Sequence, residues 1–234
     1  MIKKFKKSEK FLSRAERVIP LGSQTFSKSK TLLPLGASPF FAEKGKGSKL
    51  YDLDGNKFID FVNGLASVTL GYRDSDIDNS VKKQLKKGVT FSLSHPIETQ
   101  LAEMLTNIIP CAEMVRFAKN GSDATSGAIR VARAFTGREH IAVCGYHGWH
   151  DWYIGSTTRD LGITNEGKKS THRFKYNNIE DLESLLQSKK NKFAAVIMEP
   201  MNTTWPKKGY LKKGVAFLAN EWDVPEDLIK ECKR

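Results

Sequence analysis

The chain has 234 residues, of which 39% are hydrophobic and 27% charged, with a formal net charge of +12 at pH 7. That composition fits a soluble globular protein with one sizeable core, or one domain and part of another. No apolar run approaches the roughly 20 residues a membrane-spanning helix needs. The basic start, MIKKFKKSEKF, is not followed by the apolar stretch of a secretory signal, so the expected compartment is the cytoplasm. Cys111, Cys144 and Cys232 are widely spaced and include no CxxC pair, which argues against a disulfide framework or a zinc knuckle. The positive charge is spread in short pairs such as Lys82 and Lys83, Lys86 and Lys87, and Lys189 and Lys190. Without interleaved aromatic side chains, these pairs read as solvated surface rather than a nucleic-acid-binding face.

In chain order, Ser8 is placed to cap a first helix with Phe11, Leu12, Ala15 and Val18 on one stripe, closed by Pro20. A polar stretch from Gly22 to Ser27 reads as loop. Lys49-Leu50-Tyr51-Asp52-Leu53 and Phe58-Ile59-Asp60-Phe61 flank an Asp54-Gly55-Asn56 turn, which is a hairpin signal. Ile77, Val81 and Leu85 mark a helix ended by Gly88; Ile97, Leu101, Leu105 and Ile108 mark another ended by Pro110. Strands and helices then alternate. A short strand is expected at 115–118, then a helix at 123–135 burying Ala124, Ala128, Val131 and Phe135, with Gly137 beyond its end. A strand at 141–143, a helix lined by Ile179, Leu182, Leu185 and Leu186, and a continuous apolar strand at 193–198 follow. This order predicts an α/β fold with a mostly parallel sheet. The expected divisions are an N-terminal segment, 1–70, part of a larger α/β domain, 71–214, and an atypical tail, 215–234.

Three places carry residues suited to chemistry. Asn120-Gly121-Ser122-Asp123-Ala124-Thr125 lies between a strand and a helix. Free amides of a helix's first turn suit an anion, Gly121 admits close approach and Ser122 offers a hydroxyl. A plain N-cap by Ser122 or Asp123 satisfies the same pattern. Gly145-Tyr146-His147-Gly148-Trp149-His150-Asp151-Trp152 follows a strand, where open α/β sheets bind ligands. Tyr146 or Trp149 could cover a flat ring, His147, His150 and Asp151 could hold a metal, or the run could be an aromatic packing cluster. Glu199, before Pro200, follows the last strand and needs a hydrogen-bonding partner, whether a loop, a ligand or a cation.

Taken together, the motifs resemble a known family. Gly45-Lys46-Gly47, Tyr51-Asp52-Leu53-Asp54-Gly55-Asn56, Phe58-Ile59-Asp60, Leu70-Gly71, Asn120 through Thr125, Thr136-Gly137-Arg138, Tyr146-His147-Gly148 and Glu199-Pro200 resemble, in order, the class III pyridoxal-phosphate-dependent aminotransferases. The glutamate-1-semialdehyde 2,1-aminomutase branch is the most similar. The resemblance implies a type I pyridoxal phosphate fold, normally a homodimer acting on small amino, aldehyde or keto substrates. It implies that Asn120, Gly121 and Ser122 hold the cofactor phosphate, that Tyr146 lies against the pyridine ring, that His147 shapes the pocket and that Glu199 braces it. It also implies that Ser23, Thr25 and Asn202 lie on the substrate side.

The sequence departs from that pattern in places. Gly64-Leu65-Ala66 stands where the mutase branch carries Ser-Trp-Gly, which affects substrate choice. Met201-Asn202-Thr203-Thr204 lacks the second glutamate of ornithine- and aminobutyrate-type relatives, which favours the mutase-like side. After Gly214 the similarity stops. The aspartate that pairs with the ring nitrogen and the Schiff-base lysine have no counterpart, so a truncated or frameshifted, inactive chain is expected. The other readings are a non-catalytic dimerising fragment and a metal hydrolase built on His147, His150 and Asp151.

Overall fold

The computed structural model describes residues 4–201 and 203–211. Two compact units divide between Leu93 and Ser94. The expected boundary lay at residue 70. Tyr72, however, exchanges both backbone hydrogen bonds with Gly47 (2.8 and 2.9 Å) and donates its hydroxyl to Asp60 Oδ2 (2.6 Å), which ties the next stretch of chain to the hairpin region.

The first unit contains α1 (Lys6–Ala15), β1 (Ala42–Lys46), β2 (Lys49–Asp52), β3 (Lys57–Ile59), a short turn α2 (Asn63–Ala66) and α3 (Ser75–Leu85). The three strands form an antiparallel sheet, with Leu50 opposite Phe58 across the expected Asp-Gly turn. Gly55, at φ 83°, takes the left-handed conformation that the turn demands. Asp52 is buried and closes the turn by accepting the amides of Asp54 and Asn56 and the Asn56 side chain. Ser8 is not the cap of α1. It lies inside the helix, fully buried, and its hydroxyl accepts the amides of Phe40 and Phe41. The cap comes from 46 residues away: the Asp54 carboxylate accepts the amides of Lys7 and Ser8 at 2.9 and 3.0 Å. That carboxylate serves donors which the helix itself leaves unpaired.

The second unit contains α4 (Pro96–Ile108), α5 (Gly121–Thr136), β4 (His140–Cys144), α6 (Asp151–Ile154), α7 (Asn165–Lys169), β5 (Thr171–Arg173), α8 (Ile179–Ser188) and β6 (Phe193–Met198). The strands form a parallel sheet in the order β5-β4-β6. Successive side chains of β4 point to opposite faces. Ile141 and Val143 pack with Ile129 of α5, Trp152, Tyr153 and Ala194. Ala142 and Cys144 pack on the other face with Phe174, Leu182 and Leu186 of α8, and Phe193. Both faces are therefore covered, as a buried parallel sheet requires.

Two expectations need correction here. Residues 115–118 form no strand, because a strand needs a ladder partner and the described residues supply none there. The buried stripe of α5 is also not the apolar one. Val131 and Phe135 are 68% and 90% exposed, while Ser122, Thr125, Ser126, Ile129 and Ala132 turn inward. Those positions share a face by their spacing of three and four. The inward face is polar in its first turns because it meets a loop there rather than the sheet.

At the start of β4, His140 Nδ1 and His172 Nε2 lie 3.0 Å apart and share one proton. Burial lowers both pKa values, and His140, Lys189, Lys192 and Glu139 supply the smaller charge effects. A base whose folded pKa lies below its unfolded value takes up fewer protons when folded, so folding is fully favoured above about pH 6.5 and weakens as pH falls toward the folded pKa. The midpoint of urea unfolding should fall between pH 7.5 and 5, and His172→Asn should flatten that dependence. Independently, Asp54→Ala should cost about 1 kcal/mol in the same assay at pH 7.5 by uncapping α1.

Candidate functional site

The site is built where β4 and β6 end and α5 begins. Asn120 caps α5: its side chain accepts the amide of Asp123 at 3.1 Å, while Asp123 Oδ2 accepts the amide of Asn120 at 3.3 Å. The Ala124 amide is taken by the Asn120 carbonyl. That leaves the amides of Gly121 and Ser122 with no partner among the described residues. They open a helix of 16 residues, whose dipole adds partial positive charge at that point. Beyond its own turn of helix, nothing stands within 4 Å of where a Gly121 side chain would be, and Gly121 and Ser122 both line a cavity.

The facing wall is the loop that leaves β4. Gly145 (φ 94°) and Gly148 (φ 110°) give it two bends unfavourable for other residues. Its carbonyls are pinned in turn. Tyr153 donates its hydroxyl to the Gly145 carbonyl at 2.8 Å. His147 Nε2 lies 2.8 Å from the Cys144 carbonyl, and since a carbonyl only accepts, Nε2 carries the proton. The Thr125 hydroxyl donates to the His147 carbonyl at 2.9 Å. Tyr146 is 65% exposed and meets Tyr153 edge to face. Glu199 Oε1 accepts the Tyr146 amide at 3.2 Å, linking the end of β6 to the loop. A side chain on Gly145 would strike that carboxylate, 2.6 Å from Glu199 Cγ.

Asn120, Gly121, Ser122, Thr125, Tyr146, His147, Gly148 and Trp149 line a cavity of about 430 Å³ between the helix start and the loop. The structure thus brings together five of the expected cofactor residues and places the sixth, Glu199, behind the loop. Thr125 and Trp149 are further lining residues. Thr125 could have been found by its place three residues after Ser122, on the same helical face. Burial of the nearby Cys144 thiol raises its pKa, so it is held neutral. His147 and His150 turn to different partners, the Cys144 carbonyl and Ser126, and no group of three or more metal-ligating side chains occurs among the described residues. Ser23 and Thr25 belong to the first unit and bond each other: the Ser23 hydroxyl donates to the Thr25 carbonyl at 3.1 Å. Asn202 lies outside the described residues.

An open parallel sheet with a helix start at its carboxyl edge defines the class of α/β proteins that receive ligands at their strand ends. Within it, residues 34–222 match the family model for aminotransferase class-III, past Gly214 where the similarity was expected to stop, and the chain belongs to that family. It is 37% identical to the 3-aminobutyryl-CoA aminotransferase of Cloacimonas acidaminovorans over 226 residues, covering 94% of this chain and 53% of that protein. It is 36% identical to the glutamate-1-semialdehyde 2,1-aminomutase of Acetivibrio thermocellus, covering 88% of this chain and 52% of that protein. The chain spans about half the length of the curated relatives it matches. Among solved structures, the FumI protein of Sphingopyxis sp. MTA144 in its PLP internal aldimine form superimposes with a TM-score of 0.85 at 28% identity, over 92% of this chain and 53% of that one. An omega-transaminase from Sphaerobacter thermophilus gives 0.80 at 28% identity, over 92% and 52%.

Gly148 is the tightest point of the cavity wall, because a Cβ there would stand 2.4 Å from Ser122 Oγ. Gly148→Ala should cost roughly 1–3 kcal/mol in urea unfolding through its positive φ alone. The same change should push Ser122 away from the loop.

Proposed function

We propose that this chain carries the phosphate- and ring-holding part of a pyridoxal-phosphate-dependent amino-group transferase, of the transaminase or aminomutase kind. One observation carries the reading: two unpartnered amides at the start of α5 face a cavity walled by Tyr146, His147 and Trp149. A phosphate satisfies such donors, and a helix N-terminus favours its charge. The residues present fit the cofactor. Gly121 and Ser122 offer backbone donors, Ser122 adds a hydroxyl, and the exposed Tyr146 ring offers a flat apolar surface. When bound, pyridoxal phosphate supplies an electron sink for charge developing at the substrate carbon.

The chain's own residues then have separable roles. Gly121 and Ser122 bind the phosphate and so fix one end of the ring. Tyr146 limits how the other end turns and excludes water from one face. His147 donates from Nε2 to the Cys144 carbonyl and so shapes the pocket wall. Glu199 holds the Tyr146 amide and therefore the ring-facing loop. The resemblance assigns Ser23, Thr25 and Asn202 to the substrate side and a homodimer as the working form. The family match and the relatives support amino-group transfer as the reaction class.

Titration of the chain with pyridoxal phosphate, followed by quenching of indole fluorescence, tests the reading. Binding should be at least tenfold tighter than for pyridoxal, and inorganic phosphate should compete. Ser122→Ala should weaken the phosphate form by about tenfold, the worth of a hydrogen bond to a charged group. Equal affinity for pyridoxal and its phosphate contradicts the proposal.

A further inference from the structure

Behind the cavity wall, a second set of polar groups runs from the core to the helix cap. Ser126 sits one turn into α5 on the inward face. Its hydroxyl oxygen lies 3.1 Å from Trp152 Nε1 and 2.7 Å from His150 Nδ1. An indole N–H only donates, so the Ser126 oxygen accepts from Trp152 and keeps its proton and a second lone pair for the contact with His150. The other ring nitrogen of His150, Nε2, turns toward the helix cap. That nitrogen lies 3.8 Å from Asp123 Oδ1, and the other oxygen of Asp123 accepts the amide of Asn120. The series runs by hydrogen bonds from Trp152 to His150, reaches Asp123 across 3.8 Å, and ends at the residue that caps the anion cradle.

Neither Ser126 nor His150 lines the cavity. They act on what does. The direct link from loop to cradle is weak, since the Trp149 amide reaches Ser122 Oγ only at 3.4 Å. Gly148 has a backbone that turns easily. It is held from both sides: the His147 carbonyl is fastened to Thr125, and His150 is fastened to Ser126. Release of either fastening lets Gly148 and Trp149 swing away from Ser122.

We propose that Ser126 and His150 form a positioning pair that sets how tightly the cradle at Gly121 and Ser122 holds a phosphate group. The inference rests on the cofactor reading above and extends it to two residues outside the cavity. Leucine at 150 keeps bulk without a hydrogen-bonding group, whereas asparagine returns a polar group that can pair with Ser126 in either direction.

The test measures binding of pyridoxal phosphate and of pyridoxal to the whole chain by indole quenching, with thermal midpoints recorded for every variant. Ser126→Ala and His150→Leu should each weaken the phosphate form by about tenfold, as expected for one lost buried hydrogen bond, and leave pyridoxal within twofold. His150→Asn should restore phosphate binding to within threefold of the parent chain. Equal weakening of both ligands, or an asparagine variant as weak as the leucine variant, makes the pair a general structural tie and overturns the proposal. Normal binding by Ser126→Ala overturns it as well and leaves the cofactor reading standing. A parent chain that does not distinguish the two ligands overturns both.

Discussion

The first turn of an α-helix leaves backbone amides that its own ladder cannot serve, and α5 resolves only half of this problem internally. Asn120 and Asp123 serve each other's amides through their side chains. Gly121 and Ser122 are left pointing at a cavity. The capping box fixes the direction of the helix, and the left-handed Gly148 lets the opposing loop pass close beside Ser122.

That loop is held from the sheet. β4 is buried on both faces, with Ile141, Ala142 and Val143 fully inaccessible, so its exit point is rigid. From there His147 reaches back to Cys144, Tyr153 reaches to Gly145, and Glu199 at the end of the neighbouring strand takes the Tyr146 amide. The apolar core thus decides where polar groups stand, and membership in the class III aminotransferases agrees with an α/β scaffold of this order.

Much of this was legible in the sequence. Continuous apolar runs gave β4 and β6, the spacing of Leu182 and Leu186 gave α8, and Asp54-Gly55 gave the hairpin. Asn120 to Ser122 and Tyr146 to Gly148 stood out because small and polar residues follow strands there. What escaped has physical reasons. β5 is three residues, Thr171-His172-Arg173, too polar and short for a periodicity argument. The inward face of α5 was misread because hydrophobic patterning assumes the buried side is apolar, whereas Ser122, Thr125 and Ser126 turn toward a hydrogen-bonding loop. The 115–118 segment has the composition of a strand, but pairing is a property of two segments and cannot be seen in one. Ser126 and His150, 24 residues apart, meet only once the sheet brings helix and loop together.

The turn after β2 has a consequence for recombining this chain with its relatives. Asp52 and Asp54 stand two positions apart and serve different donors, one closing the bend and one holding the start of α1. The Asn56 amide group likewise reaches the carbonyl of Lys4. A crossover placed anywhere between α1 and β3 splits donors from acceptors, even where it falls in loop. A chimera therefore has to inherit residues 4–59 from one parent, or match the turn of one parent to the helix of the other at both aspartates.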